Sequence, residues 1–396
     1  MTEIPLAIAG QAEFLSSMLH RVEISRSALL HSVKQYRSII GRSQFYAVVK
    51  SNAYGHGLRL CVQILSSEVD GFAVNHISEV EQVYHLTDRP FLVMGRFDEE
   101  DACQLLDLDA SRITVVLSDI DEIRRLHELR PDLPFHLKID TGMGRLGRRG
   151  AMLDAIFAYL ADHPELRWTG IMTHFANVED VTDQSYAIEQ LRLFEEAFKK
   201  ALAASRGRPL IRHAAASAAA LILPQSRLDL VRVGISLYGL WASQATKLSY
   251  LSLGRPQLQL RPALRWITKI VHINDLPAES KIGYGCTYQT QRPSRIAVLP
   301  VGYHEGYDRR LSNRAYTVIA GRRAPVVGRV CMNMIMVDVT HIPGVRPGMD
   351  AVLIGRQEFD GHADEMSADM MADLSGTIHY ETTTRIHPDL KRIVVD

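Results

Sequence analysis

Short apolar runs alternate with helix-period segments through the first part of the chain. The runs occupy residues 45–49, 72–74, 91–94, 113–117, 135–139, 169–173, 210–213 and 228–233. Between them, residues 78–86, 119–129, 151–160 and 184–204 repeat apolar side chains at helical spacing. Such alternation predicts parallel strands joined by crossover helices. Eight such strands would close a barrel, so the expected fold is α/β, an N-terminal (β/α)8 barrel. Periodicity does not fix closure, and an open doubly wound sheet satisfies the same pattern. Several runs end on a polar residue or glycine: Lys50, Asp140, His174, Ser217 and Gly234. Barrel enzymes place their chemistry at these carboxyl ends of strands.

The texture changes after about Tyr250. Residues 271–273, 295–299, 316–319, 334–339 and 351–354 read as strands between Gly and Pro breaks. The expectation is a barrel over 1–250 and a mostly β domain over 251–396, with a linker within 241–262.

Composition changes this picture little. A chain of 396 residues suits two domains, and 46% apolar content is ordinary for a globular protein. Lys+Arg 45 against Asp+Glu 45 gives no net charge, and no basic block argues for nucleic acid or an anionic membrane. No apolar run reaches membrane-spanning length. The first ten residues carry an acid where a signal peptide needs bases. Cys61, Cys103, Cys286 and Cys331 are scattered with no CxxC pair, so no metal is expected and a reducing cytoplasm is the expected setting.

Candidate chemistry starts at Lys50. It closes an apolar run and opens Ser51-Asn-Ala-Tyr-Gly-His-Gly57, whose glycines let the backbone approach a ligand. Most strand-end lysines are solvated. One drawn into an apolar site loses its charge easily, and the neutral amine can form a Schiff base. The whole string Ala47-Val-Val-Lys-Ser-Asn-Ala-Tyr-Gly-His-Gly57 resembles the pyridoxal 5'-phosphate (PLP) lysine segment of bacterial alanine racemases. The resemblance runs from about Arg21 to Arg385.

That resemblance implies a PLP-dependent isomerase interconverting L- and D-alanine by a two-base mechanism, supplying D-alanine for peptidoglycan. Lys50 would carry PLP. Tyr54, Ser217, Gly234, Ile235 and Tyr380 would bind its phosphate. Arg232, in Val231-Arg-Val-Gly234, would face the pyridine nitrogen. An arginine does not readily give up a proton, so the nitrogen would stay unprotonated and the cofactor would be a weakened electron sink. Tyr284, in Ile282-Gly-Tyr-Gly-Cys-Thr287, would be the base on the opposite face, reaching in from the second subunit of a homodimer. Its pKa starts at about 10, and His174 with Arg232 behind it would lower it. Arg145 and Met332 would meet the substrate carboxylate, with His213 in support. Tyr303, Arg309, Arg329 and Ile378 would line the entry channel. Lys138 matches a lysine often carbamylated in the family, which would turn a cation repelling Arg145 into an anion that orients it.

Two departures concern substrate choice. The family usually has Asn at the position of Ala216 and Asp at that of Asn333. An asparagine can donate to a hydroxyl, which makes serine turnover, or a broader amino-acid racemase, the close variant. Outside that pair, Glu305 replaces a common Asp. A non-catalytic PLP carrier of the same barrel family is a different class, and it lacks the second domain that holds Tyr284. A PLP decarboxylase shares the two-domain plan but not this pairing of Tyr284 with the Arg232 segment. Finally, Gly142-Met-Gly-Arg-Leu-Gly147 is a formal GxGxxG, but several strand–helix units precede it, unlike a dinucleotide fold.

Overall fold

The structure, a computed structural model, describes residues 18–104, 108–180, 182–254 and 258–396. The N-terminal residues used above to weigh a signal peptide lie outside the described residues. The chain divides into two compact units. One comprises residues 26–53 and 58–262; the other contains the strand His20–Ser25, residues 54–57 and residues 263–396.

The first unit is the expected parallel barrel. Its strands are β1 (Gln44–Val48), β2 (Gly71–Val74), β3 (Phe91–Val93), β4 (Ile113–Leu117), β5 (Phe135–Lys138), β6 (Trp168–Met172), β7 (Ile211–His213) and β8 (Leu230–Val233). Each pairs in parallel with the next from β1 to β7, and β1 also pairs with β8. Between β7 and β8 the seam is narrow. Asp229 N donates to Arg212 O (3.1 Å), Arg232 N donates to Ala215 O (3.1 Å), and Ala216 bridges to Arg232. Strands β2, β3, β5 and β8 are buried along their whole length, as a sheet covered on both faces requires.

Two glycines make room for rings on neighbouring strands. Gly71 pairs in register with Tyr46, and a Cβ on it would lie 2.5 Å from the Tyr46 ring. Gly170 pairs with His136, and a Cβ there would enter the imidazole. Small residues thus alternate with large ones around the barrel wall.

The helices follow the sequence pattern. Asp119 caps Ile120–Leu129 by accepting from Glu122 N (2.9 Å). Helix Ser185–Ala204 buries Ala187, Gln190, Leu191, Phe194, Ala197 and Ala201 along one stripe.

The second unit is mostly strands. Its largest sheet runs Arg322–Pro325, Tyr316–Ile319, Asp350–Phe359, Leu264–Lys269, His20–Ser25 and Arg392–Val395, with His362–Met366 paired to the long strand. A second sheet holds His272–Leu276, Ser294–Leu299 and Ile335–Asp338. No helix among the described residues is long and apolar enough to cross a membrane.

Candidate active site

Lys50 follows β1 after one residue, Val49, and opens a tight turn of the wrong hand. Ser51, Asn52, Ala53 and Tyr54 all have φ between 53° and 55°. For L-residues this conformation costs roughly 1–2 kcal/mol each, so it must be held from outside. Glu79 does much of that holding. Its Oε1 accepts from Ser51 N (2.5 Å), and its Oε2 accepts from Asn75 N (2.8 Å) and His76 N (3.2 Å). Asn52 Oδ1 accepts from Leu58 N (2.8 Å) on the far side of the turn. Burial lowers the Lys50 ammonium pKa, Arg145 lowers it further, and Glu79 opposes them.

Lys138, the last residue of β5, is buried. Its pKa is pushed down to about 8 by burial, then by Arg145, Arg232 and Lys50. The same cations act on His174, pushed down to about 3, chiefly by burial. Lys50, Lys138, Arg145, His174 and Arg232 therefore share one electropositive region at the carboxyl ends of the strands.

Arg232 is buried and fixed by three acceptors. It donates to His213 Nδ1 (2.6 Å), Thr173 O (2.9 Å) and Ala214 O (3.1 Å). A guanidinium can only donate, so His213 Nδ1 must accept and its Nε2 carries the proton. That Nε2 lies 2.8 Å from His136 Nδ1, which accepts in turn. The polarity runs Arg232 to His213 to His136, and both imidazoles are neutral. Burial, then Arg232, pushes His136 down to about 3 and His213 well below its ordinary value.

A second buried chain supports the same strand ends. Gln190 Nε2 donates to Thr141 Oγ1 (3.3 Å) and to His174 O (3.3 Å). Thr141 Oγ1 lies 2.7 Å from Thr173 Oγ1, which donates to Ile139 O (3.2 Å). Gln190 Oε1 accepts from Ala176 N (2.9 Å), so the amide grips both sides of the turn after β6.

Ser217 begins helix Ser217–Ile222, and its Oγ accepts from Gly234 N (2.9 Å). The Gly234 N–H that the resemblance assigned to phosphate is thus directed at the serine, which leaves the hydroxyl proton free to donate. Ile235 opens the short helix Ile235–Tyr238, where the first N–H groups lack intrahelical acceptors.

The remaining sequence candidates lie in the second unit. Tyr54 and Tyr380 pack ring against ring at 6.1 Å, and burial pushes the Tyr54 phenol up to about 12. Tyr284 stands on a turn between Gly283 and Gly285, both at φ 71°, and is 71% exposed. Met332, Tyr303 and Ile378 are exposed as well. Asn333 donates from Nδ2 to Glu305 Oε1 at 2.7 Å. The amide read from sequence as a donor to a substrate hydroxyl is therefore engaged by a carboxylate of its own chain.

Sequence reasoning missed Glu79, His136, Thr141, Thr173 and Gln190. Gln190 left a signal: a lone amide within an apolar helical stripe must find partners inside the protein. Glu79 left none, because it sits in a polar stretch like any surface acid. The GxGxxG string follows β5, the fifth barrel strand, and not a first strand.

Residues 24–241 match the family model for the alanine racemase N-terminal domain, and residues 263–394 match the C-terminal domain. The chain is 42% identical over 395 residues to a protein named alanine racemase from Leptospira interrogans, covering 98% of this chain and 99% of that protein. It is 36% identical to one of the same name from Sorangium cellulosum, covering 92% and 96%. Among solved structures, alanine racemase from Bacillus anthracis with bound L-Ala-P superposes with a TM-score of 0.84 at 29% identity, covering 96% of this chain and 95% of that chain. The enzyme from the D-cycloserine producer Streptomyces lavendulae gives 0.84 at 27% identity, with 96% and 97% covered.

Proposed function

Because the chain belongs to the alanine racemase family, we propose that it interconverts L- and D-alanine with PLP held at Lys50, supplying D-alanine for peptidoglycan in the cytoplasm. The observation that carries this reading is the pairing of a strand-end lysine of lowered pKa with an arginine whose donors are locked by neutral His213.

The donor set suits the cofactor. Lys50 supplies an amine that loses its proton readily. Ser217 supplies a hydroxyl whose proton is left over after Gly234 N binds its oxygen. Arg232 has five N–H donors and spends three on named acceptors, which leaves donors for a ring nitrogen. When bound, the cofactor supplies the electron withdrawal that acidifies the α-carbon. Lys50 Nζ then takes or returns a proton on its own face. Tyr284 serves the other face through its hydroxyl, supplied by a second copy of the chain in a homodimer. Its 71% exposure within one chain is what a residue offered to a partner needs. Arg145 orients the substrate carboxylate. Lys138, with an amine near neutrality at about pH 8, has the nucleophilic form that carbamylation by carbon dioxide requires.

Borohydride reduction tests the assignment. The purified protein is expected to be yellow, and the reduced cofactor should appear on the peptide containing Lys50. Label on any other lysine removes the assignment. Mass analysis of the native protein reports whether Lys138 carries one added carbon dioxide.

A further inference from the structure

Two backbone segments of the second unit lie against each other, residues 302–307 and 329–334. Tyr303 N donates to Cys331 O (3.1 Å), and His304 N donates to Met332 O (3.0 Å). Gly302 sits so close to the Cys331 and Met332 carbonyls that a Cβ there would collide with both. The peptide plane fixes the consequence. In a trans peptide the C=O and the following N–H point in opposite directions. With Cys331 O directed at Tyr303, the Met332 N–H must point away from residues 302–305. Among the described residues every peptide bond is trans.

One side-chain pair ties this arrangement together. Glu305 Oε1 accepts from Asn333 Nδ2 (2.7 Å), and Glu305 Oε2 accepts from Gly302 N (2.8 Å). The Glu305 carboxylate thus bridges the start of one segment to the end of the other. Its own backbone O accepts from His387 N (3.1 Å), which fixes the acid from a third direction. His304 Nδ1 lies 3.3 Å from the same Oε1.

We propose that Glu305 and Asn333 are paired positioning residues whose hydrogen bond aims the Met332 N–H, and that the amide at 333 matches a glutamate at 305 long enough to reach it, where the family's common aspartate is one methylene shorter. The proposal rests on the reading above that Met332 N–H meets the substrate carboxylate. Neither side chain touches substrate; both act through the backbone between them. With Glu305 at its present reach, a carboxylate at 333 would bring two anionic oxygens to hydrogen-bond distance, so the two side chains must share a proton or move apart. Exchanging the two groups, so that the amide stands at 305 and the acid at 333, restores a complete set. The amide oxygen at 305 accepts from Gly302 N, and the amide NH2 donates to the carboxylate at 333.

The test is a double-mutant cycle on the holoenzyme: Asn333→Asp, Glu305→Gln and the two combined. The KM for alanine should rise about tenfold or more in Asn333→Asp, the scale of losing a hydrogen bond to a charged group. The kcat should change much less, because no proton-transferring group is altered. The combined variant should return to within about threefold of wild type, a recovery a merely tolerant surface site would not give. Amide hydrogen exchange at Tyr303 and His304 provides a readout independent of turnover, and it should quicken in Asn333→Asp and recover in the double variant. An unchanged KM in Asn333→Asp, or a double variant no better than the single one, overturns the proposal. Absence of alanine turnover in wild type counts against the function reading instead. Exchange then decides the pairing alone, and unchanged exchange in Asn333→Asp overturns it.

Discussion

At the scale of single residues, the proposed chemistry draws on two lysines whose ammonium pKa is lowered. Lys50 and Lys138 are cations placed among cations, and burial makes their neutral forms accessible. Tyr284 is an exposed phenol on a glycine-flanked turn. If it is the second base, Tyr284→Phe should lower racemisation by roughly 10²-fold or more while leaving the cofactor bound, because only a proton relay is lost. Mixing Lys50→Ala with Tyr284→Phe chains should then restore activity in verified heterodimers, where one hybrid site has both bases. Near-normal turnover in Tyr284→Phe would place the second base elsewhere, and silent heterodimers would mean a site built within one chain. The Asn333 amide shows how far a single residue can be read in isolation. Its donor capacity was legible from sequence, but its acceptor, Glu305, was not.

At the scale of elements, the barrel strands needed only apolar runs bounded by polar residues, and all eight appear where the pattern puts them. The turn after β1 needed more. Ser51, Ala53 and Tyr54 do not favour left-handed backbone, and the turn is held by hydrogen bonds that include Ser51 N to Glu79, Leu58 N to Asn52 and Ala53 N to Val49 O. The strand glycines are also element-scale devices. Gly170→Ala should destabilise by about 1–3 kcal/mol, because the His136 ring it would strike is held in place by His213. Urea unfolding measures this, and an unchanged midpoint would mean that the imidazole has room to turn.

At the scale of the whole molecule, the buried histidines set a pH dependence. His136 and His174 are pushed from 6.5 to about 3, and His213 lies well below 6.5. Once unfolded, each takes up a proton near its ordinary value. Between about pH 3 and 6.5 the unfolded chain therefore binds more protons than the native one. Stability should be intact above this window and fall as the pH drops through it, by up to about 1.4 kcal/mol per pH unit for each histidine that protonates only on unfolding. Urea midpoints at about pH 7 and about pH 5 check the sign. An unmodified Lys138 adds a rise in stability between about pH 8 and 10.5, since there too the unfolded chain holds the extra proton. A carbamylated one would not.

The sequence by itself determined the strand and helix sites of the barrel and the β character of the later part, and it singled out Lys50, Arg232 and Tyr284 as candidates for the chemistry. Those features are local: a period, a breaker, or a short string around one side chain. Tertiary structure alone decided which polar groups support them. Ser51 and Glu79 are 28 residues apart, His136 and His213 are 77 apart, and Asn333 and Glu305 are 28 apart. Hydrogen bonds form only within a few tenths of an ångström of their ideal length. Whether two distant polar residues meet depends on strand register, side-chain rotamer and the fall of one segment on another, and none of these leaves a period in the chain.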